Sequence, residues 1–116
     1  MTYQDALPLV KHEFETMREN SRYVIIRTGL TYDGCQGFCV ALYDLDKKAI
    51  ITDFGATKDA FDEVEDETWQ ALCEERGFRF SQWRIERDFH SPDDVHTFIQ
   101  FLDELSDRFF TLGDDD

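Results

Sequence analysis

"QGFCVALYDLDKKAIITDFGATKDA", residues 36–60, holds the decisive pattern of the chain. Two runs rich in β-branched and aromatic residues, "QGFCVALYD" and "KKAIITD", flank Asp44-Leu45-Asp46-Lys47, an interruption of hairpin length. Asp53-Phe54-Gly55 then turns the chain, and beyond Lys58 the apolar residues recur at helical steps. The local reading is strand, turn, strand, turn, helix, and the short connection makes the strand pair antiparallel.

The same logic extends in both directions. Upstream, "RYVIIRT" is a further strand, separated from its successor by Asp33-Gly34. Leu7, Val10, Phe14 and Met17 recur at three- and four-residue steps, which predicts an opening helix ending near Asn20-Ser21. Downstream, Phe61, Val64, Trp69, Leu72 and Cys73 define a helical segment between Lys58 and Arg76, broken near Asp66 and closed by Gly77. "FRF" and "WRIERDF" alternate around Ser81-Gln82, as a hairpin would with Phe78, Phe80, Trp83, Ile85 and Phe89 inward. Ser91-Pro92 opens the last helix, with Asp93 and Asp94 at its positive end and Val95, Phe98, Ile99, Leu102, Leu105 and Phe109 as its core face. Helix, three strands, helix, two strands, helix gives an α+β fold, a mainly antiparallel sheet with helices packed on it. One domain is expected over residues 1–113, followed by an acidic frayed tail at 114–116.

Composition agrees with one folded unit. At 116 residues, 41% apolar and 15% aromatic, the chain has apolar surface enough for a single core, and its eleven phenylalanines and two tryptophans offset chain entropy despite the high charge. The first residues lack a basic and then apolar leader pattern, and no run approaches the about 18 apolar residues of a membrane span, so a cytoplasmic protein is expected. Cys35, Cys39 and Cys73 cannot all pair within one chain and do not form C-x-x-C, so they read as reduced thiols. Cys39 and Cys73 belong to apolar runs; Cys35, in a loop, is the candidate reactive thiol but has no activating partner nearby in sequence.

The net charge is −14, which repels nucleic acid and anionic membrane alike. Its distribution is uneven. Up to Thr52, seven acidic residues (Asp5, Glu13, Glu15, Glu19, Asp33, Asp44, Asp46) face six basic ones (Lys11, Arg18, Arg22, Arg27, Lys47, Lys48). From Asp53 onward nineteen acidic residues face six basic ones, so the second half carries nearly the whole field.

Three catalytic patterns are weighed and set aside. Asp53-Phe54-Gly55 matches the metal-binding tripeptide of protein kinases, but the Gly-rich loop, the strand lysine with its helix glutamate and the catalytic loop are missing. The order helix, three strands, helix, strand is also that of restriction-type nucleases, for which Asp33, Asp46, Lys47 and Lys48 supply the residue types of a metal site. Asp46 to Lys48 read as a turn rather than the middle of a strand, and the negative field opposes a DNA substrate, so this metal-dependent nuclease is the alternative from another class. Asp88, His90, Asp94 and His96 could ligate a metal by type but not by spacing; they read as a solvated loop and helix start, and His12 as an isolated surface residue. No catalytic residue, metal, cofactor or small-molecule ligand is expected.

The remaining signal is acidic. On the last helix Asp93, Glu104 and Asp107 lie opposite the apolar stripe with Asp103 beside them, at about 6 Å per four-residue step. Asp59, Asp62, Glu63, Glu65, Asp66, Glu67, Glu74 and Glu75 form a second cluster. Two carboxylate ridges can present to a basic surface what two phosphate strands present. The expectation is a non-enzymatic binding protein whose partner is a basic, nucleic-acid-binding protein surface: a DNA mimic, such as a phage or mobile-element inhibitor of anti-CRISPR or anti-restriction type. A toxin-binding accessory or immunity domain is a further alternative.

The turn "AIITDFGAT", the following "ALCEERGFRF" and the closing amphipathic helix resemble, in order and spacing over residues 22–106, a bacterial and phage family known as domain of unknown function 1828. The resemblance implies that Asp53, Phe54 and Gly55 are a structural turn. It implies no activity.

Overall fold

In the computed structural model, which describes residues 1–30, 38–61 and 63–114, the chain forms an α+β unit in which six antiparallel strands make one sheet and the helices pack against it. The elements run α1 (Tyr3–Glu13), β1 (Thr16–Glu19), β2 (Tyr23–Leu30), β3 (Phe38–Leu45), β4 (Lys48–Thr52), α2 (Ala56–Ala60), α3 (Asp66–Glu75), β5 (Arg79–Ser81), β6 (Arg84–Asp88) and α4 (Pro92–Asp114). The sheet order is β1-β2-β3-β4-β6-β5.

Side-chain alternation separates the two faces of the sheet. Val24, Ile26, Val40, Leu42, Ala49, Ile51 and Ile85 point to the helices and join Ala6 and Val10 of α1, Trp69 and Cys73 of α3, and Val95, Phe98 and Leu102 of α4 in one core. The register places Tyr43 opposite both Tyr23 and Ile50, and Thr52 opposite Ala41 and Glu86, on the other face. There Tyr43 donates a 2.5 Å hydrogen bond to Glu86, and burial together with that bond pushes the phenol up to about 12.

Two short hairpins build the sheet's centre and edge. Asp46 and Lys47 connect β3 to β4 with φ of 51° and 68°, and Gln82 and Trp83 connect β5 to β6 with φ of 52° and 67°. Two consecutive left-handed residues are the signature of a type I′ turn, whose twist suits paired strands. Asp46 and Lys47 are therefore turn residues, away from the strand interior a nuclease motif requires. Asp33 lies outside the described residues.

The structure departs from the sequence expectations at several elements. The opening helix stops at Glu13: Phe14 is already extended, and Thr16–Glu19 forms an edge strand whose backbone groups bond to β2. Leu7, Val10 and Phe14 reach the core as expected, but Met17 is 53% exposed. Met17 continues the three- and four-residue spacing of Leu7, Val10 and Phe14 along the chain, but pairing with the backbone of β2 draws Thr16–Glu19 into an edge strand instead. Trp83 does not point inward but is 65% exposed at its turn. Phe101, absent from the expected core face, is buried and stacks on Phe78 at 4.5 Å.

The middle helix is two. α2 ends at Ala60 and α3 begins at Asp66, so the expected break becomes a full separation. Gly77, at φ 82°, closes α3: its N–H reaches Glu74 O and that of Phe78 reaches Cys73 O at 2.8 Å, a Schellman pair. α4 continues to Asp114, the first residue of the expected tail; positions 115 and 116 lie outside the described residues.

Candidate functional site

Asp53 organises the turn between β4 and α2. Its side chain is 1% exposed and accepts from the backbone N–H groups of Gly55 (2.8 Å), Ile85 (2.9 Å) and Thr57 (3.2 Å). One carboxylate thus closes the turn after β4, holds the first turn of α2 and ties both to β6. Burial raises its pKa, opposed by these N–H donors, which favour the charged form. Every oxygen faces protein donors in a buried setting, so Asp53 is a structural bracket.

The bracket brings two exposed aromatics to the edge of one cleft. Phe54 follows Asp53 in the left-handed region (φ 59°), is 52% exposed, and meets Tyr23 edge-on at 6.4 Å. Trp83 sits at the second corner of the β5–β6 turn. Between them lies a cleft of about 610 Å³, lined by Phe54, Gly55, Ala56, Lys58 and Asp59 from the turn and α2, and by Gln82, Trp83 and Arg84 from the hairpin. Gly55, at φ 82°, allows the two elements to meet: a Cβ there would lie 3.1 Å from the Trp83 carbonyl oxygen.

The charges around this cleft are unevenly satisfied. Lys58 donates to the Val64 carbonyl and lies 3.3 Å from Asp66; Arg84 lies 3.3 Å from the Gln82 amide oxygen and 4.0 Å from Glu86. Asp59 is exposed and makes no ion pair among the described residues. The cleft therefore has engaged cations and one open carboxylate.

Beyond it, eleven of the twelve sequence-derived partner-binding residues are exposed: Asp59, Glu63, Glu65, Asp66, Glu67, Glu74, Glu75, Asp93, Asp103, Glu104 and Asp107. The twelfth, Asp62, lies outside the described residues. They are not one uninterrupted row of carboxylates. Glu104 is paired with Arg76, which links the end of α3 to α4 and holds the Glu104 carboxyl below its usual range. Phe78, stacked on Phe101 and edge-on to Phe98, fastens the same junction from below. Arg79 pairs with Asp88 at 2.9 Å and Arg87 with Asp94 at 3.2 Å, so much of the basic complement in this half is committed to particular partners.

The weighed metal residues are dispersed. Asp94 accepts from the N–H groups of His90 and Ser91 at the start of α4, while His96 contacts Glu13 at 2.9 Å and packs on Phe14. No group of three metal-ligating side chains occurs among the described residues. Cys73 is buried, with its thiol pushed up to about 12 by burial, as a core thiol would be. Cys35 and the side chain of Cys39 lie outside the described set. No helix among the described residues is long and apolar enough to cross a membrane.

The cleft is not legible in the sequence while Trp83 reads as an inward residue of the hairpin. The one available signal was the hairpin itself: a two-residue connection at Gln82-Trp83 places both side chains outside the strand alternation. Comparison of the chain with family models, curated proteins and solved structures finds no match.

Proposed function

We propose that this protein is a non-enzymatic binding protein whose acidic second half occupies a basic, normally nucleic-acid-binding protein surface. Its concrete form is a phage or mobile-element inhibitor of a host defence complex, acting by DNA mimicry in the cytoplasm. The observation that supports this most is the solvent exposure of α3 and α4 carboxylates on two helices joined through Arg76 and Glu104. Such an array attracts a basic groove over roughly 8 to 10 Å at physiological salt and competes there with phosphates for the same cations. The fixed helices hold the carboxylates in place before binding, which reduces the ordering cost of association.

The test is capture of partners from a bacterial lysate at low and high salt, followed by competition with duplex DNA. The expected partner is a basic nucleic-acid-binding protein released by DNA and by salt. Charge reversal at Glu67 and Glu74, which make no ion pair among the described residues, is expected to abolish capture, whereas reversal of exposed Asp44 on β3 is expected to preserve it. A partner that binds this protein and DNA together would refute occlusion.

A further inference from the structure

The cleft between the Asp53-Gly55 turn and the β5–β6 hairpin contains residues that folding does not favour. Trp83 occupies the second corner of a type I′ turn, where glycine or asparagine avoids the left-handed penalty. Its ring is mostly outside the core and so recovers little burial in return. Phe54 repeats the pattern across the cleft, with a left-handed backbone and a half-exposed ring. Strain at two neighbouring exposed aromatics marks a surface shaped for a contact rather than for packing.

The cleft's chemistry selects the guest. Aromatic faces attract hydrophobic groups and cations, and the planar guanidinium satisfies both preferences by stacking while its edge remains free to hydrogen-bond. Lys58 and Arg84 are engaged with Asp66, Glu86 and nearby oxygens, leaving the Asp59 carboxylate as the open charge at the cleft among the described residues. A negative guest would meet the field of a chain with net charge −14, whereas a positive one is drawn inward.

We propose that this cleft receives an arginine side chain from a basic segment of the partner protein, with the guanidinium stacked on Trp83 and paired with Asp59. The assignment rests on the basic-partner reading above and deepens it. The carboxylates of α3 and α4 supply long-range attraction, and the cleft supplies the short-range anchor that distinguishes arginine from an equally charged lysine. Aromatic anchors surrounded by weaker polar contacts are the usual distribution of energy in protein interfaces.

Hexa-arginine and hexa-lysine peptides separate the two contributions, because both carry the same charge and only one has guanidinium planes. Trp83 also provides the readout: Trp69 is fully buried, so a ligand-dependent change in tryptophan emission reports on the exposed indole. At 150 mM salt the arginine peptide is expected to bind roughly tenfold more tightly than the lysine peptide. Calorimetry on Trp83→Gly, which removes the ring at a position where glycine suits the backbone, is expected to equalise the two affinities without weakening lysine-peptide binding. Asp59→Asn is expected to reduce the arginine preference in part. Equal binding of both peptides to the wild-type chain, or a preference that survives Trp83→Gly, would overturn the cleft assignment while leaving the acidic-surface reading intact. Binding of neither peptide would count against both.

Discussion

Gly55→Ala probes whether the cleft wall is as rigidly placed as its contacts imply, and Gly77→Ala separates the two parts of its cost. Both glycines have φ 82°, so alanine at either position incurs the left-handed penalty of about 1 to 2 kcal/mol. Alanine also restricts the unfolded chain, which returns about 0.4 to 1 kcal/mol. At Gly77 nothing lies within 4 Å of the added Cβ, so the net loss there should be about 1 kcal/mol. At Gly55 the Cβ meets the Trp83 carbonyl oxygen at 3.1 Å. That oxygen belongs to a two-residue turn held by β5–β6 pairing, and Ile85 beside it is tied to Asp53, so it cannot move alone. Overpacking of this kind adds about 1 to 2 kcal/mol, for a total near 2 to 3 kcal/mol. Thermal unfolding should register about 4 °C for Gly77→Ala and about 10 °C for Gly55→Ala, using the scale for a domain of this size. Urea titrations at fixed pH check that the difference lies in the midpoint rather than the slope. Equal losses for the two variants would refute the close approach and the fixed cleft built on it.

Asp53→Asn should cost about 1 to 3 kcal/mol, because an amide nitrogen would face backbone donors that now bond to carboxylate oxygen. Tight magnesium or nucleotide binding lost in that variant would instead revive a ligand role for Asp53. The raised Asp53 pKa stabilises the fold fully below the unfolded value of 3.8 and progressively less as pH rises through the folded value. Denaturant midpoints across that acid range should therefore show the wild-type advantage over Asp53→Asn growing as pH falls. In a Cys35→Ser, Cys39→Ser background, alkylation of buried Cys73 should proceed only with global unfolding; rapid labelling of the native protein would contradict its packing. Plasmid and single-stranded DNA incubated with the protein and magnesium or manganese should remain intact, and cleavage lost in both Asp46→Ala and Lys48→Ala would reinstate the nuclease alternative.

The α+β class and the central hairpin are legible in the residues alone, because both depend on local periodicity and local turns. The alternating apolar runs at β2, β3 and β4 can bury one face only as strands, and the stripe from Val95 to Leu105 can bury one face only as a helix. Gly77 was legible as a stop because few other residues take its conformation without penalty. The opening helix reads too long because Met17 continues the helical spacing of Leu7, Val10 and Phe14, and only pairing with the edge of β2 draws Thr16–Glu19 into a strand. Phe101 is not legible as core because it lies beside the apolar stripe on α4, and only the position of Phe78 makes that flank interior. The exposed carboxylates were legible as charge, but not the pairing that ties Glu104 to Arg76 across two helices. Least legible was the cleft. Asp53 and Ile85 are thirty-two positions apart, and no local pattern records that one carboxylate bonds to both sides of that gap. Only the tertiary fold brings the Phe54 turn against the Trp83 turn, because hydrogen bonds and close packing between distant residues depend on their separation in space rather than along the chain.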